Sequence, residues 1–114
     1  MRTIIAGGRD YKFTEADVRF LISIANTITE VVEGGAFGVD RCANYWATQM
    51  GIPVKTFLAD WKYHGRAAGP IRNEQMAMYA AEEKGQCILF PGGTGTQSMY
   101  NMALKYKLTI IDKR

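Results

Sequence analysis

The stretch Cys87-Ile88-Leu89-Phe90-Pro91-Gly92-Gly93-Thr94-Gly95-Thr96 decides the predicted fold. Its apolar first part is typical of a buried parallel strand, which Pro91 ends because proline has no N–H for the next ladder bond. The glycines that follow let the backbone approach a ligand, and the helix expected after them offers unpaired N–H groups to a phosphate or carboxylate. A single loop of this kind is equally compatible with a turn that binds nothing.

Two further glycine-rich loops follow predicted strands earlier in the chain. Thr3-Ile4-Ile5-Ala6 leads into Gly7-Gly8-Arg9-Asp10, and Val31-Val32 leads into Gly34-Gly35-Ala36-Phe37-Gly38-Val39-Asp40. Helical spacing of apolar residues predicts a first helix over roughly 15 to 28 with Thr14 as its N-cap, and a second helix from Val39 to Met50. Val54 to Leu58 and Leu108 to Ile111 are the remaining predicted strands.

Strands and helices therefore alternate along residues 1–114, which predicts a single α/β domain. We expect a Rossmann-like, five-stranded parallel sheet of order 3-2-1-4-5 with helices on both faces. In that order the three glycine-rich loops lie at one edge of the sheet, on either side of the point where the strand order reverses. Ligands bind at such switch points, so their convergence predicts a site for a phosphate-bearing ligand.

Composition excludes several other classes of protein. The excess of 14 Lys and Arg over 11 Asp and Glu gives a net charge of +3 and is scattered, so it favours anionic ligands only weakly. Cys42 and Cys87 are far apart without a C-x-x-C motif, which predicts free thiols in a reducing compartment and no metal site. Without a transmembrane-length apolar run or a signal-peptide core, we expect a cytoplasmic protein that does not enter membranes.

The segment from Ala59 to Ala68 is predicted to be an irregular loop, and it gathers Asp60, Trp61, His64 and Arg66. Gly69-Pro70 is predicted to start a third helix, with proline at its first position, that runs to Lys84-Gly85. We expect this helix to point its early polar residues, Arg72, Asn73 and Glu74, toward the rim with the glycine-rich loops.

Together these motifs resemble the YspA-related branch of the SLOG superfamily. The resemblance rests on Gly7-Gly8-Arg9-Asp10, Gly34-Gly35-Ala36-x-Gly38-x-Asp40, Asp60-Trp61-x-x-His64-Gly65-x-Ala67-Ala68-Gly69-Pro70-x-Arg72-Asn73 and Phe90-Pro91-Gly92-Gly93-x-Gly95-Thr96-x-x-Met99. It implies a Rossmann-like fold that binds nucleotides or nucleotide-derived signals. Relatives include the LOG phosphoribohydrolases, the single-strand-DNA-binding DprA proteins and sensors of NAD-derived messengers, and small stand-alone members occur in bacteria and phages.

One departure from the family pattern bears on catalysis. The LOG loop reads Pro-Gly-Gly-x-Gly-Thr-x-x-Glu, and its glutamate performs the chemistry on the glycosidic bond. Met99 stands at that position here, and a thioether can neither take nor give a proton. Phe37 stands where YspA-like loops often carry a basic residue, so it can replace a charge contact by stacking on a base.

We therefore predict a binding protein for an ADP-ribose-like or NAD-related ligand, acting as a sensor or as a phage-type sequestering protein, without a required cofactor or metal. In this prediction backbone N–H groups hold phosphates, Arg72 forms a bidentate clamp, and Phe37 or Trp61 stacks. The predicted ligand-binding residues are Gly7, Gly8, Arg9, Asp10, Gly35, Ala36, Phe37, Gly38, Asp40, Trp61, His64, Arg72, Asn73, Pro91, Gly92, Gly93, Thr94, Gly95 and Thr96.

Two alternatives remain open. An N-glycoside hydrolase could use another carboxylate with His64 assisting, and the candidates are Asp10, Asp40, Asp60 and Glu74. Single-stranded nucleic-acid binding is less favoured, because the sequence lacks a basic stripe with interleaved aromatics. The face formed by Met99, Met102 and Tyr106 is either core or a dimer seam, and the resemblance favours a homodimer.

Overall fold

A parallel sheet of five short strands forms the centre of the structure, a computed structural model that describes residues 1–114. The elements in chain order are β1 (Arg2–Ala6), α1 (Glu15–Ile24), β2 (Glu30–Glu33), α2 (Val39–Gln49), β3 (Val54–Thr56), α3 (Trp61–His64), α4 (Ala68–Ala81), β4 (Gln86–Leu89), α5 (Thr94–Lys105) and β5 (Thr109–Asp112). The strand order is β3-β2-β1-β4-β5 and every neighbouring pair is parallel, which confirms the predicted topology.

Helices cover both faces of the sheet because successive residues of a strand point to opposite sides. On one face Ile4 and Ala6 of β1 join a buried cluster with α4 and α5. On the other face Ile5 joins a cluster with α1 and α2, which includes Trp46. Of the predicted apolar face of α5, Met99 belongs to the core at 1% exposure, whereas Met102 and Tyr106 pack against the core and stay partly exposed.

The ends of two helices differ from the sequence prediction. α1 stops at Ile24, and a 3₁₀ turn over Ala25–Thr27 replaces its predicted last turn. There the Thr27 hydroxyl donates to the Ile24 carbonyl at 2.8 Å, a local bond of the kind that competes with continued helix. α4 ends at Ala81 rather than at Lys84, and Lys84 itself takes the left-handed φ of +47° that leads out of the helix.

The predicted irregular loop from Ala59 to Ala68 is helical instead. Asp60 caps the four-residue helix α3 by accepting a hydrogen bond from the Tyr63 N–H at 3.1 Å, and a 3₁₀ turn over Gly65–Ala67 follows. α4 begins at Ala68, so Pro70 is its third residue rather than its first. Proline is tolerated there because the first N–H groups of a helix have no acceptor within it. None of the helices has the length and apolar composition needed to cross a bilayer.

Candidate functional site

A cavity of about 490 Å³ lies beyond the carboxyl ends of β1, β2 and β4, within the usual size of small-molecule sites. Its walls come from the three glycine-rich loops, α3, the start of α4 and the start of α5. The lining residues are Ala6, Gly7, Gly8, Arg9, Ala36, Asp40, Trp61, Arg66, Gly69, Pro70, Arg72, Asn73, Met76, Gly93, Thr94, Gly95, Thr96, Ser98 and Met99.

The three glycine-rich loops touch one another through their backbones. Gly8 donates to the Pro91 carbonyl at 2.8 Å and accepts from the Val39 N–H at 3.2 Å. A Cβ at Gly38 would overlap the Gly8 carbonyl oxygen, and a Cβ at Gly92 would lie 2.7 Å from the Gly8 nitrogen. Glycine is therefore required at these contacts by the fold itself, whatever the cavity binds.

Gly93 and Gly95 have no such structural reason to be glycine. A Cβ at either position would meet no atom within 4 Å, and neither residue has a positive φ. Both lie at the start of α5, where no side chain caps the helix and the first helical bond is from Gln97 N–H to the Gly93 carbonyl. The N–H groups of residues 94–96 consequently have no acceptor within the helix.

Thr96 adds a hydroxyl to the same place. Its side chain lines the cavity and is only 4% exposed, and its Oγ1 takes part in no hydrogen bond within the chain. The start of α5 thus combines free backbone donors with an unpartnered hydroxyl.

Charge in the cavity is predominantly positive. Arg9 and Arg66 line it as exposed side chains that form no ion pair, and Arg72 is the third arginine. Burial lowers the pKa of Arg72, and the neighbouring charge of Arg9 lowers it further, whereas Asp40 opposes the shift. Asp40 is the one carboxylate among the lining residues.

Arg72 is held by the protein rather than free to clamp a ligand. Its Nη1 donates to the Gly34 carbonyl at 2.7 Å and to the Phe57 carbonyl at 3.4 Å, while Nε donates to Asn73 Oδ1 at 3.0 Å. The guanidinium therefore ties the loops after β2 and β3 to α4. Only Nη2 is unengaged, so the predicted bidentate contact would require breaking one of these bonds.

Asn73 positions the start of α5. It is 4% exposed, and its Nδ2 donates to the Gly95 carbonyl at 3.3 Å and to Ser98 Oγ at 3.1 Å. These bonds, with the one that its Oδ1 accepts from Arg72, connect α4 to α5 directly beside the free N–H groups. A ligand contact by Asn73 would have to share donors that the fold already uses.

Asp40 is buried in the first turn of α2. Burial raises the pKa of its carboxyl to about 6; the hydrogen bond from the Ala36 N–H lowers it, the charge of Glu33 raises it, and Arg72 lowers it. Sequence reasoning did not single out Glu33, which is 1% exposed and accepts a hydrogen bond from the Gly35 N–H at 2.6 Å. The available signal was a carboxylate on the last residue of an apolar strand, directly before two glycines.

The other candidate carboxylates do not reach the cavity. Asp60 caps α3, and Glu74 accepts from Lys105 Nζ at 2.6 Å and from the Tyr106 hydroxyl at 2.8 Å on the α4–α5 surface. Asp10 is exposed and lies outside the lining, as does the ring of His64. The expectation that Glu74 points to the rim is wrong, and chemistry by a carboxylate in this cavity would fall to Asp40.

The two predicted stacking residues are in different places. Trp61 is half exposed, lines the cavity and packs on Gly69, whose added Cβ would lie 3.2 Å from the indole. Phe37 lies outside the cavity under the guanidinium of Arg41, 4.0 Å from its ring centroid. Gly35, Gly38, Pro91 and Gly92 shape the loops without lining the cavity.

Several lining residues were not predicted as ligand contacts: Ala6, Arg66, Gly69, Pro70, Met76, Ser98 and Met99. Met99 is the most informative of them, because it lies in the wall at the position of the LOG glutamate. No group of three or more His, Cys, Asp and Glu side chains is placed to hold a metal ion.

Comparison with known proteins gives three findings. The profile of the YspA, cpYpsA-related SLOG family matches residues 1–64. Gene 61 protein of Mycobacterium phage D29 is 38% identical, over 72% of this chain and 69% of the phage protein. The X-ray structure of DNA processing protein A (DprA) from Streptococcus pneumoniae matches 97% of this chain with a TM-score of 0.73, at 14% identity. The chain spans about half of DprA, 49% of its length, and the likeness to it is one of fold.

Proposed function

Because this chain belongs to the YspA, cpYpsA-related SLOG family, we propose that it binds a nucleotide-derived small molecule, of the ADP-ribose or NAD-related class, in the cavity described above. The start of α5 is the observation that carries this proposal. Its first N–H groups have no acceptor in the helix, and the glycines beside them face open space. A phosphate fits such a start, since it accepts several N–H bonds and is favoured by the helix dipole.

The arginines support an anionic ligand. Arg9 and Arg66 form no ion pair within the chain, and Arg72 retains Nη2 as a donor. A phosphate that they contact gains charge-assisted hydrogen bonds, which are about twice as strong as neutral ones. We assign Arg72 a single-point contact at most, because its other nitrogens hold the loops.

Trp61 is the proposed platform for the base. Its indole lines the cavity and remains half exposed, so one face is available to a flat ring. Stacking of a base on an aromatic side chain contributes about 1–3 kcal/mol. Phe37, the other predicted stacking residue, already stacks with Arg41 outside the cavity.

A charge-matched pair of variants tests the proposal. Arg9→Gln removes a positive charge from the cavity wall, and Arg19→Gln removes one from an exposed position on α1. Titration calorimetry with ADP-ribose, NAD and AMP should show weaker binding of at least one of these ligands by Arg9→Gln and parental affinity for Arg19→Gln. Equal affinities for the two variants, or no binding of any of the three by the parent, would contradict the proposal.

Binding without catalysis is the form of the proposal we favour. Met99 occupies the wall position where LOG enzymes carry glutamate. A relative is encoded by a phage, and a protein that captures a nucleotide-derived signal intact would need this cavity and no acid or base. Native mass spectrometry of protein purified from cells should therefore detect an intact nucleotide-type ligand.

Hydrolysis of an N-glycosidic bond is the competing function, and Asp40 is the observation that favours it. A buried carboxyl with a pKa near 6 suits a general acid or base. Incubation with AMP or NAD should nevertheless release no free base above a blank. Release over many turnovers that disappears in Asp40→Asn would establish the enzyme instead.

Single-stranded nucleic-acid binding is a further candidate, favoured by the rim outside the cavity. Exposed Phe37 stacks with Arg41 there, Tyr63 and Lys62 are exposed on α3, and the fold is that of DprA. Stacking and charge neutralisation would make such binding salt-dependent. Fluorescence anisotropy with a labelled oligonucleotide at two salt concentrations tests it: salt-sensitive binding that weakens in Phe37→Ala but not in Tyr45→Ala would support it.

The homodimer that the resemblance favours is likewise a proposal, and sedimentation velocity would test it.

A further inference from the structure

Two buried carboxylates hold successive N–H groups of the loop after β2. Glu33 uses both of its oxygens: Oε1 accepts from the Gly35 N–H at 2.6 Å, and Oε2 accepts from the Thr56 hydroxyl and from Asn44 Nδ2 at 3.3 Å. On Asp40, Oδ2 accepts from the Ala36 N–H at 3.2 Å, and a weaker hydrogen bond from the Gly34 N–H also stabilises the carboxylate. Its Oδ1 has no hydrogen-bond partner in the chain, although the residue is only 8% exposed.

The structural role of Asp40 does not use Oδ1, which is left accessible from the cavity. Glu33, by contrast, has partners for both oxygens, drawn from the loop, α2 and β3. Asp40 differs from Glu33 in lining the large cavity, so its free oxygen is reachable by a ligand.

Asp40 is also out of place in a site that recognises charge alone. The other charged lining residues are Arg9, Arg66 and Arg72, which attract anions. A carboxylate among them repels the same anions, and that repulsion weakens binding unless the ligand also brings a donor for Oδ1. Sugar hydroxyls, and the amino groups of bases, are the uncharged donors that accompany phosphate in nucleotides, and only the hydroxyls are common to nucleotides and sugar phosphates.

We propose that Asp40 Oδ1 accepts a hydrogen bond from a sugar hydroxyl of the ligand, so that the cavity selects phosphates carrying a hydroxylated sugar over phosphates of equal charge without one. This inference rests on the proposed function and deepens it by naming the ligand's second recognised group. The α5 start and the arginines bind the phosphate, and Asp40 distinguishes what the phosphate is attached to.

Matched nucleotides test the inference, since AMP and 2′,3′-dideoxy-AMP have the same base and phosphate and differ in two hydroxyls. The parent should bind AMP at least about tenfold more tightly than the dideoxy compound, as expected for a hydrogen bond to a charged group. Asp40→Asn should bind the two nearly equally. Glu15→Gln, which removes a charge from a fully exposed position on α1, should keep the parental ratio.

A second measurement needs no variant. The charged groups that face Asp40 are Glu33 from β2 and Arg72 from α4, and Arg9 from the loop after β1 acts in turn on Arg72. The pKa of Asp40 lies near 6, so at pH 5 its carboxyl is mostly protonated and the preference for AMP should shrink relative to pH 7.5. This comparison applies even if Asp40→Asn fails to fold.

The possible outcomes separate the inference from the proposed function. Equal affinity of the parent for AMP and dideoxy-AMP at pH 7.5 would overturn the inference and leave phosphate binding intact. A preference for AMP that persists in Asp40→Asn would assign the hydroxyl contact to another residue. If AMP, ADP-ribose and pyrophosphate all fail to bind, the proposed function and the inference are both wrong.

Discussion

The starts of α1 and α5 differ in whether a side chain accepts hydrogen bonds from their first N–H groups. Both helices follow neighbouring central strands, and each begins with N–H groups that have no acceptor within the helix. At α1, Thr14 accepts from the Asp17 N–H at 3.1 Å and Asp17 accepts from the Thr14 N–H at 2.9 Å, which forms a complete capping box. At α5, the N-cap is Gly93 and no side chain accepts from the helix.

The remaining helices include both kinds of start. Asp60 caps α3, whereas α2 and α4 begin after Gly38 and Ala67 without a side-chain cap. The starts of α2, α3, α4 and α5 supply residues to the cavity lining, and the start of α1 does not. A side-chain cap is therefore compatible with a place in the cavity wall, as at α3, and it is at α5 that uncapped N–H groups lie beside glycines facing open space.

The largest expected effect comes from breaking the close backbone contact that holds the open start of α5. In Gly92→Ala the added Cβ would overlap Thr96 Oγ1 and lie 2.7 Å from the Gly8 nitrogen. We expect a loss of about 3 kcal/mol in the free energy of unfolding, as for overpacking in a core. Urea denaturation measures it, and a variant within about 0.5 kcal/mol of the parent would show that the loops are not held by this contact.

The next largest effect is expected on the pH dependence of stability, when Asp40 at the start of α2 is replaced by Asn. Its pKa is about 6 in the folded protein and about 3.9 in the unfolded chain, so the folded state binds the proton more tightly. Its contribution to stability is therefore present at low pH and is lost as the pH rises through 6. The difference in unfolding free energy between Asp40→Asn and the parent should shift in favour of the variant by about 2 kcal/mol between pH 4.5 and pH 7.5. A pH-independent difference would contradict the shifted pKa.

Removing the N-cap of α1 should lower the free energy of unfolding by an intermediate amount and leave ligand binding unchanged. Thr14→Ala removes the acceptor for the Asp17 N–H and should cost about 1 kcal/mol of unfolding free energy. Thr14 lies outside the cavity, so the variant should bind AMP and ADP-ribose as tightly as the parent does. A loss of ligand affinity in this variant would mean that the two helix starts are coupled.

The fold was predictable from sequence because strands, glycine-rich loops and apolar helix faces alternate without interruption. The short helix α3 was not predictable, because four residues are too few to show the helical period of 3.6. Its cap, Asp60, is equally typical of a loop. Within the site, the glycines and Arg72 were identified by motif, but motif alone could not tell which glycines serve the fold.

The polar side chains of α4 illustrate what sequence order leaves undetermined. Arg72 and Asn73 line the cavity, and Glu74, one residue further on, is bound to Lys105 outside it. Each residue turns about 100° around the helix axis, so one step separates the cavity from the surface. Two partners of buried Glu33, Asn44 and Thr56, come from separate elements, α2 and β3, and no local pattern marks them.

The smallest effect on stability is expected at the open start itself, where it is also the most informative. Gly95→Ala places a methyl group where no atom lies within 4 Å, in a helix in which alanine is preferred over glycine by up to about 1 kcal/mol. The unfolding free energy should therefore be unchanged or slightly higher, while the methyl occupies space beside the free N–H groups. Binding of AMP and ADP-ribose should weaken, and calorimetry beside urea denaturation measures the two effects separately.

Gly51 offers no comparable control because its φ is +71°. Thr14→Ala is therefore the counterpart: it should lose stability and keep affinity. If Gly95→Ala keeps full affinity, the phosphate does not bind at the start of α5, and the absence of a cap there needs another explanation.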